Sequence, residues 1–214
     1  MAKVKARISV SVDGFVAGPN ISLEEPLGEG GERLHDWVTR LRSWNELQGR
    51  EGGETGVDDD VSREMFEGVG AVVMGRGMFG GTWTTGDEWN AWEGWWGDDP
   101  PYHMPVYVLT HHAREPLTLT DTTFTFVTDG IESAIAQARE AAGDKDVLVM
   151  GGGSTIAQAT DAGFVDELDL HVVPLLLGGG ARLFDHLGSG LVKLEPTRVI
   201  DSPNVTHLRY RVVK

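Results

Sequence analysis

The stretch that most constrains the fold covers residues 146–158, which read DVLVMGGGSTIAQ. The apolar run 147–150 predicts a fully buried strand, because no polar side chain interrupts it. The glycines at 151–153 predict a tight turn, and Ser154 or Thr155 is a candidate cap for a following helix. A strand that ends in a glycine turn at a helix N-terminus presents backbone N–H groups to an anion. A strand-to-helix turn without a ligand fits the same pattern.

Composition excludes several classes of function. The chain has 214 residues, 40% of them hydrophobic, which suits a single domain over residues 1–214. A net charge of −15 argues against binding to nucleic acid or to an anionic membrane. The absence of cysteine excludes disulfides, thiolate metal ligands and a cysteine nucleophile. No apolar run approaches the roughly 20 residues of a membrane span. Polar residues interrupt any signal-peptide core, so we expect a soluble cytoplasmic protein.

The order of the predicted elements indicates an α/β fold. Strands alternate with helices up to about residue 175, and two final strands form an antiparallel hairpin. This pattern predicts a mostly parallel central sheet, with helices on both faces and the hairpin at its edge. The predicted strands cover residues 6–12, 70–75, 105–110, 124–128, 147–150, 167–174, 192–200 and 205–213, and the main helices cover residues 34–47 and 131–142.

Two segments leave alternatives open. The acidic run 58–60 is predicted to form the first turn of a helix, where carboxylates are favourable; a metal site is the less favoured alternative. The segment 80–102 is either a wall for a flat ligand, an interface patch, or a satellite core under a long loop. It holds five of the seven tryptophans, namely Trp83, Trp89, Trp92, Trp95 and Trp96.

Three predicted strands end in candidate ligand-binding turns, at residues 75–77, 110–114 and 151–155. Ligands of open α/β sheets lie at the carboxyl ends of strands. The glycines around Arg76 spell G-x-G-x-x-G. They do not predict a Rossmann site, because they do not open the first βαβ unit and no suitable acidic residue follows. Arg76 and Arg114 are candidates to pair with a phosphate, and the alternative is that both are surface arginines.

Five motifs in order carry a family resemblance: SVDGFVA at residues 11–17, VMGR at 73–76, VLT at 108–110, VMGGGST at 149–155 and LHVVPLLLGGG at 170–180. Over nearly the whole chain, this set resembles the dihydrofolate reductase-like superfamily, specifically the branch that contains the reductase domain of riboflavin biosynthesis. The resemblance implies NADPH as cofactor and hydride transfer to a small molecule, a flat nitrogen heterocycle such as a pterin or a flavin precursor. The alternatives are a 5-amino-6-(5-phosphoribosylamino)uracil reductase and a non-catalytic nucleotide-binding or interaction protein on the same fold. The resemblance and the apolar run 175–177 also suggest a homodimer.

The resemblance places the cofactor on the strand-end turns. Arg76, between Gly75 and Gly77, would lie near the 2′-phosphate that distinguishes NADPH from NADH. Residues 152–156 would cradle the pyrophosphate, and the turn at 110–111 would border the adenosine phosphate. Val16 and Ala17 would border the nicotinamide. Arg114 and Gly151 are added as candidates from the strand-end turns. The full set of candidate cofactor-binding residues is Val16, Ala17, Gly75, Arg76, Gly77, Thr110, His111, Arg114, Gly151, Gly152, Gly153, Ser154, Thr155 and Ile156.

The candidate substrate site lies between the first helix and the strand that carries His171. Asp36 is a candidate catalytic residue that assists protonation, and it occupies the region where classical dihydrofolate reductases hold a pterin with a carboxylate. Trp37 is a candidate to stack on the ring. Phe15 stands where the riboflavin reductases usually have arginine, which favours a flatter, more apolar substrate. His171 is either a proton donor or a hydrogen-bonded core histidine. The histidines lack metal-ligand spacing, so we expect no metal.

Overall fold

The computed structural model describes residues 2–81, 84–188 and 190–214. The strands of this part are β1 Val4–Ser11, β2 Phe15–Ala17, β3 Val69–Gly75, β4 Pro105–Leu109, β5 Leu117–Leu119, β6 Thr122–Val127, β7 Asp146–Met150, β8 Glu167–Val173, β9 Ala181–Arg182, β10 Lys193–Asp201 and β11 Thr206–Val213. The α-helices are α1 Asp36–Thr39, α2 Arg42–Leu47, α3 Val57–Arg63, α4 Arg76–Gly80, α5 Gly86–Ala91, α6 Ile131–Ala142 and α7 Gly153–Asp161, and a 3₁₀ helix covers Gly31–His35.

A nine-stranded sheet forms the centre of the fold, in the order β10-β11-β8-β1-β7-β3-β4-β6-β5. The strands from β8 to β6 are parallel to their neighbours, which confirms the predicted mostly parallel sheet. The final hairpin β10–β11 is antiparallel and extends the sheet beyond β8, as predicted. The short strand β5 was not predicted, and it lies antiparallel to β6 at the opposite edge. Strands β2 and β9 form a separate antiparallel pair.

The two faces of the sheet carry separate cores, which confirms the prediction of helices on both sides. Alternate residues of β3 point to opposite faces. Ala71 and Val73 pack in one cluster with residues of α6 and α7, whereas Val72 and Met74 pack in the other with residues of α4 and α5. The burial of each large apolar side chain contributes about 1.5–3 kcal/mol. A smaller third cluster joins α1 to the end of β8.

The prediction of one continuous helix over residues 34–47 is wrong. The 3₁₀ helix Gly31–His35 and the short helices α1 and α2 replace it. Between the two α-helices, Arg42 N donates to Glu54 O over 2.8 Å, and Glu54 N donates to Arg40 O over 2.9 Å. These bonds to a distant segment replace the bonds that a continuous helix would form, so tertiary contacts override the helical periodicity.

The predicted cap of α7 is also wrong. Gly152 occupies the N-cap position, and no side chain caps the helix. Ser154 and Thr155 lie inside the first turn. The acidic run behaves as predicted, because Asp58, Asp59 and Asp60 lie in the first turn of α3. Within the described chain, acidic and histidine side chains form no group suited to a metal ion. In the same ranges, no helix has the length and apolar character needed to cross a membrane.

The predicted homodimer stays a prediction. Leu176 is 72% exposed, whereas Leu175 and Leu177 pack against the third apolar cluster. We expect light scattering at micromolar concentration to return twice the chain mass of 23.2 kDa. A particle with the mass of one chain would contradict the prediction.

Candidate functional site

A cavity of about 1190 Å³ lies beside the carboxyl ends of the parallel strands and brings most of the predicted site residues together. Those that line it are Val16, Ala17, Asp36, Trp37, Gly75, Arg76, Gly77, Thr110, His111, Gly151, Gly152, Gly153, Ser154, Thr155 and His171. Phe15, Arg114 and Ile156 do not line the cavity in the structure. The structure thus brings predicted site residues from six separate segments to one cavity.

The glycine turn after β7 is held tightly on one side and is open on the other. Gly75 N donates to Gly151 O over 3.0 Å, which joins the ends of β3 and β7. A Cβ atom at Gly75 would lie 2.4 Å from Thr155 Oγ1, so only glycine allows this approach. A Cβ atom at Gly152 would meet nothing within 4 Å, because this residue faces the cavity. The N–H groups of Thr155 and Ile156 donate to Gly152 O, whereas those of Gly153 and Ser154 have no acceptor among the described residues, so the start of α7 is suited to an anion.

Arg76 begins α4 at the edge of the cavity. Its Nη2 donates to Thr84 O, and its guanidinium lies 5.1 Å from the ring centroid of Trp89. Its Nε is buried and has no hydrogen-bond partner among the described residues. The guanidinium is therefore fixed on one side and retains unused donors, an arrangement that suits an anionic group.

The three predicted residues that lie outside the cavity have structural contacts. Arg114 Nη1 donates to the carbonyl oxygens of Trp89 at 2.6 Å and Trp92 at 2.8 Å. Phe15 is buried, and the guanidinium of Arg182 lies 4.4 Å from its ring centroid. Ile156 belongs to the core between α7 and the sheet.

The tryptophan-rich segment combines two of the predicted roles. Trp95 and Trp96 line the cavity. Trp89 is buried in the core that contains Val72 and Met74 of β3. Trp92 Nε1 donates to Phe79 O over 2.9 Å. The segment is thus partly a satellite core and partly a cavity wall. The fifth residue of the prediction, Trp83, lies outside the described ranges.

At the other end of the cavity, four buried side chains form one hydrogen-bonded chain. Arg7 Nε donates to His171 Nε2 over 2.7 Å, and His171 Nδ1 lies 2.7 Å from His207 Nδ1. His207 Nε2 in turn lies 3.0 Å from Asp58 Oδ1. The second guanidinium contact is a 2.6 Å bond from Arg7 Nη2 to Val61 O in α3.

The direction of every bond in this chain follows from its ends. An arginine only donates, so His171 accepts at Nε2 and carries its proton on Nδ1. That proton is donated to His207, whose own proton on Nε2 then points at the carboxylate of Asp58. Burial is the main cause that lowers the pKa of His171 well below its ordinary value, and burial also lowers the pKa of His207. Both imidazoles are therefore neutral at pH 7.

His171 therefore resembles the hydrogen-bonded core histidine of the two predicted alternatives. It lines the cavity, but both ring nitrogens are bonded to neighbours. Trp37 packs on it with ring centroids 4.8 Å apart, and Trp37 Nε1 donates to Ser9 Oγ over 3.0 Å. Asp36 lies in a more open part of the cavity, with its carboxylate exposed and 3.6 Å from Arg33 Nε.

Sequence reasoning missed several residues at this end of the cavity, namely Arg7, Ser9, His35 and Ser62. One signal was present: β1 alternates, with polar side chains on one face, and it reads as a central strand. A charged residue in the middle of such a strand is unusual, because both of its neighbours in the sheet are strands. The contribution of Ser62 depends on the docking of α3 and leaves no trace in the local sequence.

The sequence matches the family model described as RibD C-terminal domain over residues 2–208. Among curated protein sequences, no match to this chain was found.

Several solved structures share the fold. A putative riboflavin biosynthesis protein from Shewanella sp. PV-4 is 24% identical, with full coverage of both chains and a TM-score of 0.64. A diaminohydroxyphosphoribosylaminopyrimidine deaminase/5-amino-6-(5-phosphoribosylamino)uracil reductase from Thermotoga maritima is 16% identical, with a TM-score of 0.58. The match covers 99% of this chain and 57% of that protein. Dihydrofolate reductase from Enterococcus faecalis, complexed with NADP(H) and RAB-propyl, is 15% identical over 99% of this chain and 97% of that chain, with a TM-score of 0.51. These likenesses confirm the dihydrofolate reductase-like fold.

Proposed function

We propose that this chain, which belongs to the RibD C-terminal domain family, is an NADPH-dependent reductase that transfers a hydride to a flat nitrogen heterocycle. The family and the structural neighbours indicate an oxidoreductase. The observation that carries the proposal is the continuity of the cavity, which extends from the glycine turn at α7 to Trp37 and Arg7. Its volume of about 1190 Å³ exceeds the roughly 300–1,000 Å³ of a typical single-ligand site, so it suits a cofactor beside a substrate.

The residues at one end of the cavity fit a phosphate-bearing cofactor. Gly152 leaves open space in front of the N-terminus of α7, where a pyrophosphate gains from unpaired N–H groups. Arg76 has a buried Nε without a partner among the described residues, and a phosphate would supply the acceptor. These two features support a dinucleotide, and the charge of Arg76 supports NADPH over NADH.

The protein residues in this proposal bind and orient the reactants. Bound NADPH would supply the hydride. The buried strand β2 places Val16 and Ala17 at the cavity and keeps water from the middle of the site. Trp37 lines the substrate end of the cavity and is 4% exposed, with its indole held by the bond to Ser9. Fixing two reactants in one geometry is itself a large part of catalysis in such reactions.

Two alternatives remain distinct from this reading. The Thermotoga relative is described as a reductase of 5-amino-6-(5-phosphoribosylamino)uracil, and this chain would then act on the same compound. The apolar walls at Trp95 and Trp96 favour a substrate with less phosphate and ribose character. The other alternative is a nucleotide-binding protein without turnover.

An assay of NADPH oxidation separates the three readings. We would follow NADPH absorbance with dihydrofolate, with an oxidised flavin, and with 5-amino-6-(5-phosphoribosylamino)uracil. Turnover of a pterin or flavin supports the leading reading, and turnover of the uracil compound alone supports the riboflavin-pathway reductase. Tight NADPH binding without oxidation in any mixture supports the non-catalytic alternative.

Replacing Arg76 by alanine is expected to weaken NADPH binding by about one to two orders of magnitude and to leave NADH binding nearly unchanged. The reason is the loss of a charged hydrogen bond to the 2′-phosphate, worth about 1.5–3 kcal/mol. Calorimetry with both cofactors measures the difference.

Arg114→Ala is the matched control for this prediction. The guanidinium of Arg114 also lies over the ring of Trp89, at 5.5 Å, but Arg114 does not line the cavity. If Arg76 acts only by packing on Trp89, both variants lose affinity for both cofactors equally. That result would refute the assignment of Arg76 to the 2′-phosphate.

A further inference from the structure

Arg7 is a buried cation whose charge is not matched by a direct ion pair. It is 8% exposed, and it pairs with no carboxylate of the described chain. The acidic groups that act on it from a distance, Asp169 and Glu64, are already paired with Arg209 and Arg198. Burying a charge without a partner is costly, so a buried arginine beside a cavity points to a ligand that supplies the missing charge.

The same end of the cavity contains further unused polar atoms. Arg7 Nη1 has no hydrogen-bond partner among the described residues. Ser62 Oγ and His35 Nδ1 are buried and also lack partners there. All three residues line the cavity. An unsatisfied buried polar group costs about 1–3 kcal/mol, so two such atoms beside an unpaired cation point to a bound molecule that satisfies them.

We propose that Arg7 determines substrate specificity by binding a negatively charged oxygen of the substrate, such as a ring carboxylate, with the hydroxyl of Ser62 as a second contact. This inference rests on the proposed function only in placing the substrate at this end of the cavity. A planar guanidinium suits the two oxygens of a carboxylate, because its donors form a fork of matching geometry.

The chain from His171 through His207 to Asp58 positions Arg7 for this role. Because His207 donates to Asp58, its Nδ1 accepts, and His171 must present a bare Nε2 to Arg7. The neutral ring of His171 accepts the hydrogen bond from Arg7 Nε and leaves the positive charge of the guanidinium in place. Burial lowers the pKa of Arg7 to about 10, so it is still charged at neutral pH. The positive charge therefore remains available to the cavity.

Uracil and orotate provide a matched pair of probes, because orotate is uracil with one added carboxylate. Uracil is also the ring in the substrate of the Thermotoga relative. In calorimetric titrations without NADPH, we expect the wild-type protein to bind orotate at least roughly tenfold more tightly than uracil, since a charge-assisted bond is worth about 1.5–3 kcal/mol. Equal affinities, or no binding of orotate, would overturn the proposal.

Three variants test whether Arg7 and Ser62 cause the preference for orotate over uracil. Arg7→Met is expected to remove the preference for orotate, and Arg7→Lys to restore part of it. Ser62→Ala is expected to weaken orotate binding several-fold without lowering the thermal stability, because this hydroxyl has no partner to lose in the described structure. The control is Arg182→Met, which removes another cation from the same cavity. Its guanidinium already donates to Asp13 O, so the preference for orotate should persist.

The outcomes separate this inference from the proposed function. An orotate preference that survives Arg7→Met, or that disappears equally in Arg182→Met, contradicts the role of Arg7. Loss of thermal stability in Arg7→Met and Ser62→Ala, with the ratio of the two affinities unchanged, assigns both residues a structural role and also contradicts it. Failure of NADPH to bind contradicts the proposed function alone, because these titrations contain no cofactor.

Discussion

A Gly152→Val protein is expected to fold and to bind no detectable NADPH. The backbone at Gly152 has φ −86° and ψ −178°, an extended conformation that valine adopts readily. A Cβ atom added to this residue would have no protein atom within 4 Å. The valine side chain would therefore occupy the place proposed for the pyrophosphate and leave the packing around it intact. Calorimetry measures the affinity, and circular dichroism with thermal unfolding checks the fold.

Gly190→Val is the matched control for this experiment. A Cβ atom at Gly190 also meets nothing within 4 Å, and this residue does not line the cavity. The Gly190→Val protein should retain wild-type affinity for NADPH. The opposite case is Gly75→Val, where the new side chain would clash with Thr155 and destabilise the protein by at least about 1–3 kcal/mol. Undiminished NADPH affinity in a folded Gly152→Val protein would show that the cofactor does not approach this turn.

Lowering the pH from 7 to 5 is expected to destabilise the protein steeply. Burial lowers the pKa values of His35, His171 and His207 in the folded state. In the unfolded chain, each histidine takes up a proton near a pH of about 6.5, so the unfolded state binds more protons below that pH. Each histidine that stays neutral in the folded state then contributes a loss of up to about 1.4 kcal/mol per pH unit below that pH. Above pH 7 this contribution is complete.

Urea unfolding at pH 7, 6 and 5 measures this dependence. His103→Gln is the control, because it removes an exposed histidine from outside the buried chain. His207→Gln removes one of the titrating groups, so the free energy of unfolding should fall less steeply with acid in this variant. A free energy that is constant between pH 7 and pH 5 would contradict the neutral hydrogen-bonded chain of imidazoles.

Much of the sheet was predictable because its signals are local. The run 147–150 and the strand around Val72 are continuous apolar segments, which suit strands buried on both faces. The closing hairpin was predictable from two extended segments around a short turn. The helix over residues 34–47 was not, because the bonds between Arg42 and Glu54 that interrupt it join segments whose pairing has no sequence signature.

The candidate site divides in the same way. The turn at Gly75 is visible in the sequence, because its close approach to Thr155 restricts this position to glycine. The partners of Arg7 lie 54 and 164 residues away along the chain, so its buried, unpaired state is a property of the folded protein alone. Arg114 shows the converse. It resembles a phosphate-binding arginine in sequence, yet its Nη1 donates to the carbonyl groups of Trp89 and Trp92.

The two ends of the cavity come from different parts of the architecture. The turn at Gly152 and the start of α4 belong to the parallel strands, whereas Arg7, Ser62 and His171 depend on α3 and on the edge where β8 meets the hairpin. Selection or engineering can therefore vary substrate choice through short helices such as α1 and α3, while the phosphate-facing turns stay unchanged. A library of variants confined to positions such as His35 and Ser62 should contain proteins with altered substrate ranges and unchanged affinity for the cofactor.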